Sequence, residues 1–456
     1  MKIRTQTKDQ GGALVLTLLT ALIIGVTLAS YLTLVSSQNA STMRSMAWNS
    51  AIPVVESGVE AALTHLHYQG VTNLVSNGWQ PAVGGAGKSG TLDDGTSYQV
   101  TIEQADPAVI ICLAQVPAPL SPSANLGMIL GSVVNPGQGQ TVRTLKRKVR
   151  VTAKRDPFFS KAMVAKGQIN LNGNNVQTDS FDSEIPAYNT LGKYDASKAL
   201  DHGDVATNSG LVNSVNAGNA DIRGKVSTGP NGTAAIGPNG SVGSDAWVDG
   251  GNNGIEPGYI DDDMNMDIKD VDLPAACNSG STVFTSSLAG INLLAGSIDP
   301  RSPTYFKLTS FSGKVNVTGH VVVYIPAGGT FNFTGGNSGI TIAPGGSLTV
   351  YVGASSAKIG SVVNPGSALN FSYYGLLSNT DISFSGNGEF SGTIYAPQAN
   401  LSLGGGGNNN MDFVGSCVTA AVTLNGHFNF HYDEALARRG PARDYIVQSW
   451  NEIAVD

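Results

Sequence analysis

Three groups of residues in this sequence have types and spacings that could do chemistry. The most acidic is Tyr259 to Asp267, where Asp261, Asp263, Asn265 and Asp267 alternate like the first four oxygen donors of a calcium loop, with Asp272 in twelfth place. Met266 stands at the sixth place, where the sharp turn of such a loop needs glycine, and the last donor is Asp rather than a bidentate Glu. Calcium ligation and a solvated acidic loop therefore both remain open. The second group is His431, Asp433 and Glu434, which could suggest acid/base work. Adjacent residues of a strand point to opposite faces, so Asp433 and Glu434 suit the anchoring of a cap better than a shared proton transfer. The third, His65 and His67, lies on two sides of a helix and reads as surface. No phosphate-binding loop, nucleophile elbow or HExxH run occurs, so no catalytic activity and no cofactor besides calcium is expected. Cys112, Cys277 and Cys417 are far apart and lack CxxC partners, which reads as buried thiols rather than a disulfide framework.

Composition narrows the classes. The chain has 456 residues, 57 of them Gly, and only 13% are charged, about half the usual share for a soluble domain. Yet 41% are apolar, a balance produced by short strands punctuated by turns rather than by disorder. The net charge of −7 argues against a nucleic-acid partner, which calls for a basic face.

The elements that would carry these residues begin with a helix. Lys2, Arg4 and Lys8 precede a run from Ala13 to Val35 with no charge at all. Those 23 residues make about 34 Å of helix, enough for a hydrocarbon core of roughly 30 Å. The basic flank should stay in the cytoplasm and the rest be translocated. A cleaved secretory signal would have a shorter apolar run and a clear break after it. Here the helical pattern continues through Met43, Ile52, Val55, Val59, Ala62 and Leu66, past Pro53, to a stop at Gly70.

Gly11-Gly12-Ala13-Leu14-Val15-Leu16, after its short basic leader, resembles the class III leader of type IV pilins and type II secretion pseudopilins. The resemblance implies a cut by prepilin peptidase between Gly12 and Ala13, and a methylated new N-terminus. It also implies an anchor built from Leu14, Val15, Leu16, Leu18, Leu19, Leu22, Ile23 and Ile24, which holds the chain in the inner membrane until it packs with other pilin or pseudopilin subunits. Thr17 stands where most major pilins carry Glu, a departure that suits PilX-like minor pilins. Val54-Val55-Glu56-Ser57-Gly58-Val59-Glu60-Ala61-Ala62-Leu63 is similar to the matching stretch of PilX-type helices.

Residues 71–156 read as a small β-sheet region, with strands at Ser97–Gln104, Val109–Val116 and Val142–Lys154 and a turn at Asp106-Pro107. In the last strand Val149, Val151 and Ala153 share one face, while Lys148, Arg150, Thr152 and Lys154 share a solvated one whose lysines would discourage edge pairing. A small sheet against a long helix is also how pilin globular domains begin. Residues 157–433 change texture: short alternating runs such as Gly167–Gly173, Gly313–Gly319, Ser347–Gly353, Ala368–Phe371, Phe390–Ala396 and Val422–Phe430 end at Gly or Asn, with no helical period between them. Mainly β structure follows, as a right-handed parallel β-solenoid or an antiparallel sandwich. Short strands and Gly/Asn corners favour the solenoid, and no strict period is legible.

Gly392-Thr393-Ile394-Tyr395-Ala396-Pro397, Gly415-Ser416 and His431-Tyr432-Asp433-Glu434-Ala435-Leu436 resemble an uncharacterised surface solenoid domain often joined to PilX-like N-termini. That resemblance implies architecture and location without chemistry. Residues 434–456 are expected as a helical cap over the last coil, whose edge would otherwise pair with other chains. Three readings of function follow. The first is a minor pilin or pseudopilin with its body in the periplasm or on the cell surface, displayed for adhesion to a polysaccharide or host surface. The second is an unprocessed, anchored polysaccharide-binding protein, and the third a tethered polysaccharide-degrading β-helix enzyme.

Overall fold

The computed structural model describes residues 10–71, 74–103, 105, 107–118, 144–173, 176–279, 283–285, 293–335, 338–384, 388–405, 411–426 and 428–455. Most of the basic leader, Asp106 and the expected strand start at Val142 lie outside them. The chain divides into two compact units, Met1–Arg155 with Asp444–Asp456, and Asp156–Arg443.

In the first unit a single helix, α1, runs from Gln10 to Gln69 and passes through Pro53 without ending. Its N-terminal half is exposed, from Leu14 to Leu34. Its C-terminal half buries Ala51, Val54, Val55, Val59, Ala62 and Leu66, which recur at one-turn steps and so form one stripe. That stripe packs on an antiparallel sheet of β1 (Gln80–Ala82), β2 (Gly85–Thr91), β3 (Ser97–Glu103), β4 (Ala108–Pro117) and β5 (Thr144–Pro157). Val100, Cys112 and Val149 lie opposite one another across three strands, as do Ile102, Ile110 and Val151, and all six are buried. The alternation expected in β5 is present, but β5 is not an edge. Ala442–Ile453 forms a strand beside it, where Arg147 lies 2.9 Å from Glu452. The expected helical tail is thus only Ala435–Arg439, because the residues beyond it complete this sheet.

Among the described residues the second unit is one parallel ladder of 27 strands, which excludes the antiparallel sandwich. Most of its strands are short, but Phe390–Gly405 and Met411–Gly426 run for 16 residues each, through Gly392 and Gly415. One register column runs Val283, Phe306, Val323, Val350, Tyr373, Ile394 and Cys417. It continues through Met163, Val205, Val226 and Ile260. A second includes Phe390, Phe413 and Phe430, whose stacked rings are 4.3 Å apart at each step. A third runs through Phe311, Phe331, Ala357, Ile382, Leu401, Val422, Ile169 and Val215. Apolar side chains at matching positions of successive strands stack into a continuous core, and this burial is the main driving force for the unit.

The order along the ladder is not the order along the chain. Residues 163–261 run outward from the middle. The chain then returns to the far end, and residues 283–433 run back until Cys417 pairs beside Met163. The last-made turn of chain therefore lies inside the ladder, next to the first, and needs no cap. Its free edge is taken by Met163–Ala165, Ile169–Leu171 and Gln177–Phe181. Among the described residues, the body's only α-helix before Tyr432 is Asp245–Asp249, capped by the Ser244 side chain. Ala368–Asn370, expected as strand, is a 3-10 turn capped by Ser367.

Two glycines permit close approach. A Cβ at Gly58 would stand 2.5 Å from Cys112 Sγ and 2.9 Å from Tyr98, and one at Gly415 (φ +138°) would meet the Gly392 carbonyl oxygen at 1.8 Å. Gly58→Val is expected to destabilise the first unit by about 1–3 kcal/mol. Gly415→Ala should destabilise the second by more than about 1 kcal/mol. Urea denaturation followed by tryptophan fluorescence and circular dichroism checks both, and unchanged midpoints would contradict the packing described.

Candidate functional site

The exposed half of α1 is one candidate site. An 18-residue stretch of this helix averages a mean hydropathy of 2.4 and is wholly exposed, as a single-pass membrane anchor requires. Leu14, Val15, Leu16, Leu18, Leu19, Leu22, Ile23 and Ile24 all present their side chains outward. Gly12 and Ala13 lie within the first turns of the helix, and Gly12 has open space around it. His65 departs from the sequence reading: it is buried against Trp79 with ring centroids 5.4 Å apart, because the helix turns that side toward the sheet. His67 is exposed, 2.7 Å from Asp444.

The acidic run belongs to the returning segment. Met264 and Met266 pack on the core and Ile268 is buried, while Asp261, Asp263, Asn265 and Asp267 face solvent. The calcium-like spacing is thus the two-residue alternation of an extended segment with one face buried. Among the described residues no three His, Cys, Asp or Glu side chains converge as metal ligands. The segment is held against successive levels of the ladder. Met264 N donates to Thr228 O, and Asn208 bonds both N–H and C=O of Met266. Tyr395 donates to Lys269 O at 2.7 Å, and Gln398 to Asp270 at 2.6 Å. Further on, Lys307 donates to Asn278 at 2.8 Å.

His431, Asp433 and Glu434 lie at the join between the first and last turns of chain. The strand pairing sets His431 beside Asp179, Tyr432 beside Ser180 and Asp433 beside Phe181. His431 Nδ1 is 2.5 Å from Asp179 Oδ1, both side chains are buried, and the Tyr194 ring stacks on the imidazole at 3.5 Å. Tyr194 also donates its hydroxyl to Asp179 Oδ2 at 2.6 Å. Ser180 donates to Glu434, whose Oε1 also lies 2.8 Å from His202 Nδ1, a bond that raises the His202 pKa. Arg438 reaches Asp182 at 2.6 Å and Glu184 at 3.4 Å. The partners Asp179, Asp182, Tyr194 and His202 lie some 230–260 residues away in sequence, where no spacing rule could find them.

Asp433 is fully buried. Its Oδ1 accepts from the backbone N–H groups of Ser183 and Ala435, and the Ser183 side chain lies beside the same carboxylate. Burial raises its pKa above the usual 3.8, offset in part by Ser183 and Ala435 and reinforced by Asp182. Asp433 lies at the wall of a cleft of about 140 Å³ that opens between Phe181, Gly192–Tyr194, Asn364, Gly366, Ala368 and Glu389. Burial also pushes the Cys112 and Cys417 thiols up to about 12, which leaves them inert at neutral pH.

A family described as a domain of unknown function (DUF7305) matches residues 304–439, less than a third of the chain, including the Gly392–Pro397 and His431–Leu436 runs. Among curated proteins none matches the sequence. The competence-associated pilin ComZ of Thermus thermophilus is similar at 13% identity, over 89% of this chain and 98% of that one, with a TM-score of 0.23. The DUF3494 domain of an ice-binding protein from Shewanella frigidimarina is similar at 11% identity, over 61% and 99%, again with a TM-score of 0.23. Likenesses at that level carry no argument about fold or function.

Two outcomes follow from the join. Removing His431 leaves Asp179 Oδ1 buried without its hydrogen-bond partner, so His431→Ala should destabilise the second unit by about 1–3 kcal/mol in denaturant unfolding. An acid whose folded pKa is raised binds its proton longer in the folded state, so its contribution to stability falls as pH rises upward from 3.8. Asp433→Asn should remove that fall, visible as a stability difference from wild type that grows in favour of the variant between pH 4 and the folded-state pKa.

Proposed function

We propose that this chain is a PilX-like minor pilin or pseudopilin subunit. It is cut between Gly12 and Ala13 by prepilin peptidase, held in the inner membrane by α1, and assembled with other subunits through that helix. The body, read as a right-handed β-solenoid in keeping with the handedness of parallel crossovers, is displayed in the periplasm or at the cell surface to bind a partner rather than to catalyse. The observation that carries this reading is the division of labour along one continuous helix. Residues 13–35 are uncharged and, up to Leu34, exposed, whereas the stripe of Ala51, Val54, Val55, Val59, Ala62 and Leu66 is buried on an antiparallel sheet. A simple tether needs only the first half. A helix that is half lipid-facing and half domain core suits a subunit whose globular part must be carried rigidly on a helical assembly.

The test is mass spectrometry of the protein recovered from cells with and without their prepilin peptidase. A mature chain beginning at a methylated Ala13, found only with the peptidase, is expected. Intact Met1, or a cut beyond Val35, would overturn the reading and leave an anchored or secreted body.

A further inference from the structure

We propose that the basic face of the first unit's sheet docks the acidic returning segment, residues 261–267, of a second copy of this chain. The contact needs no cut of the leader, so it stands or falls apart from the identity of the mature N-terminus.

The surface is the side of β5 turned away from α1. Lys146, Lys148, Arg150, Thr152 and Lys154 alternate along it, and Val149, Val151 and Ala153 on the other side are buried. Lys146, Arg150 and Lys154 are exposed. Lysines in such a row discourage pairing at a sheet edge, but β5 is interior, between β4 and Ala442–Ile453. Edge protection therefore does not explain them. The strands beside the row are poor in acid. On β4, Gln115, Leu113, Ile111 and Val109 stand opposite Lys146, Lys148, Arg150 and Thr152. On β3, Ser97, Gln99, Thr101 and Glu103 continue those levels, so the one acid lies level with Thr152. On the other flank the acids are engaged toward the helix. Asp444 is 2.7 Å from His67 of α1, and Glu452 is 2.9 Å from Arg147, which lies over the Trp48 ring of α1.

The pattern of charge selects the occupant. From Lys148 to Lys154 every second residue reads cation, cation, neutral, cation. From Asp261 through Asp263 and Asn265 to Asp267 every second residue reads anion, anion, neutral, anion, and all four are exposed. Alternate side chains of an extended chain recur about every 6.8 Å, so the two rows have one spacing. Laid parallel, Lys148 meets Asp261, Arg150 meets Asp263, Thr152 meets Asn265 and Lys154 meets Asp267. Any other register of these two faces, parallel or antiparallel, makes at most two opposite-charge pairs. Asp267 also lies 3.7 Å from Lys269, but both are exposed, and such a pair is weak enough to exchange. The two rows are different patches of one chain, so the contact is heterologous and repeats from copy to copy.

The test uses the full chain in detergent, as an equal mixture of unlabelled and heavy-nitrogen-labelled copies, treated with a zero-length carbodiimide and analysed by mass spectrometry. Mixed-isotope peptides joining Lys148 to Asp261 and Lys154 to Asp267 are expected. Their yield should fall at least tenfold in about 1 M salt, where the screening length is about 3 Å. Arg150→Glu with Lys154→Glu should cut the Lys148–Asp261 link at least tenfold, and so should Asp263→Lys with Asp267→Lys. All four positions are exposed, so neither double variant threatens folding. Mixing the two variants sets opposite charges together again, and cross-links between the reversed positions should appear in mixed-isotope peptides. The proposal fails if the cross-links join only peptides of one isotope, which would assign the contact to a single chain. It fails equally if Lys148 and Lys154 join other acids, or if the mixed variants give no cross-link between the reversed positions.

Discussion

The second unit depends on the join at which the chain's last-made strands meet its first. A parallel ladder built in one direction has two open edges, each a row of unpaired N–H and C=O groups. Here the edge left by residues 411–433 is filled by residues 163–181 of the same chain. Every level on one side must therefore be matched in register to every level on the other across contacts about 250 residues apart in sequence. Loop closure over such a distance is entropically unfavourable, and only contacts that form together can offset it. Stacked apolar columns supply the energy but little register, because one valine resembles the next. The buried His431–Asp179 pair, Tyr194 across both, and Arg438 on Asp182 supply the register, since any slip would leave a buried charge unpaired.

That arrangement accounts for the returning segment. A chain that starts in the middle of its own ladder must travel back outside it, and residues 262–279 do so while bonded to successive levels. Their alternation buries Met264, Met266 and Ile268 and leaves a row of carboxylates in water. A pattern that looks like ligand spacing is thereby the by-product of an extended strap. The same topology moves the His431–Glu434 run from a supposed end to the interior, and frees Ala442–Ile453 to complete the other unit's sheet.

The first unit obeys a different constraint. Its helix leaves an apolar half exposed and packs the other half on a sheet, and the sequence marks the change with Glu56 and Glu60 on one side and the Ala51–Leu66 stripe on the other. Gly58 brings helix and sheet together where Cys112 and Tyr98 leave no room for a side chain. The same residues that make the helix continuous thus hold the sheet against its C-terminal half.

What the sequence determined by itself was local and periodic. The uncharged run of residues 13–35, the buried stripe of α1, the in–out alternation of β5 and the many short strands ending at Gly or Asn all follow from side-chain spacing of 3.6 or 2 residues. Such spacing is written within one element. What tertiary structure decided was the order in which those elements stack. Cys417 beside Met163, Asp179 beneath His431, and the burial of His65 and Asp433 depend on which distant strands become neighbours. Parallel strands with nearly interchangeable apolar faces leave that choice open at the level of pattern. It is fixed only when the whole ladder closes and a few buried polar groups can each find one partner.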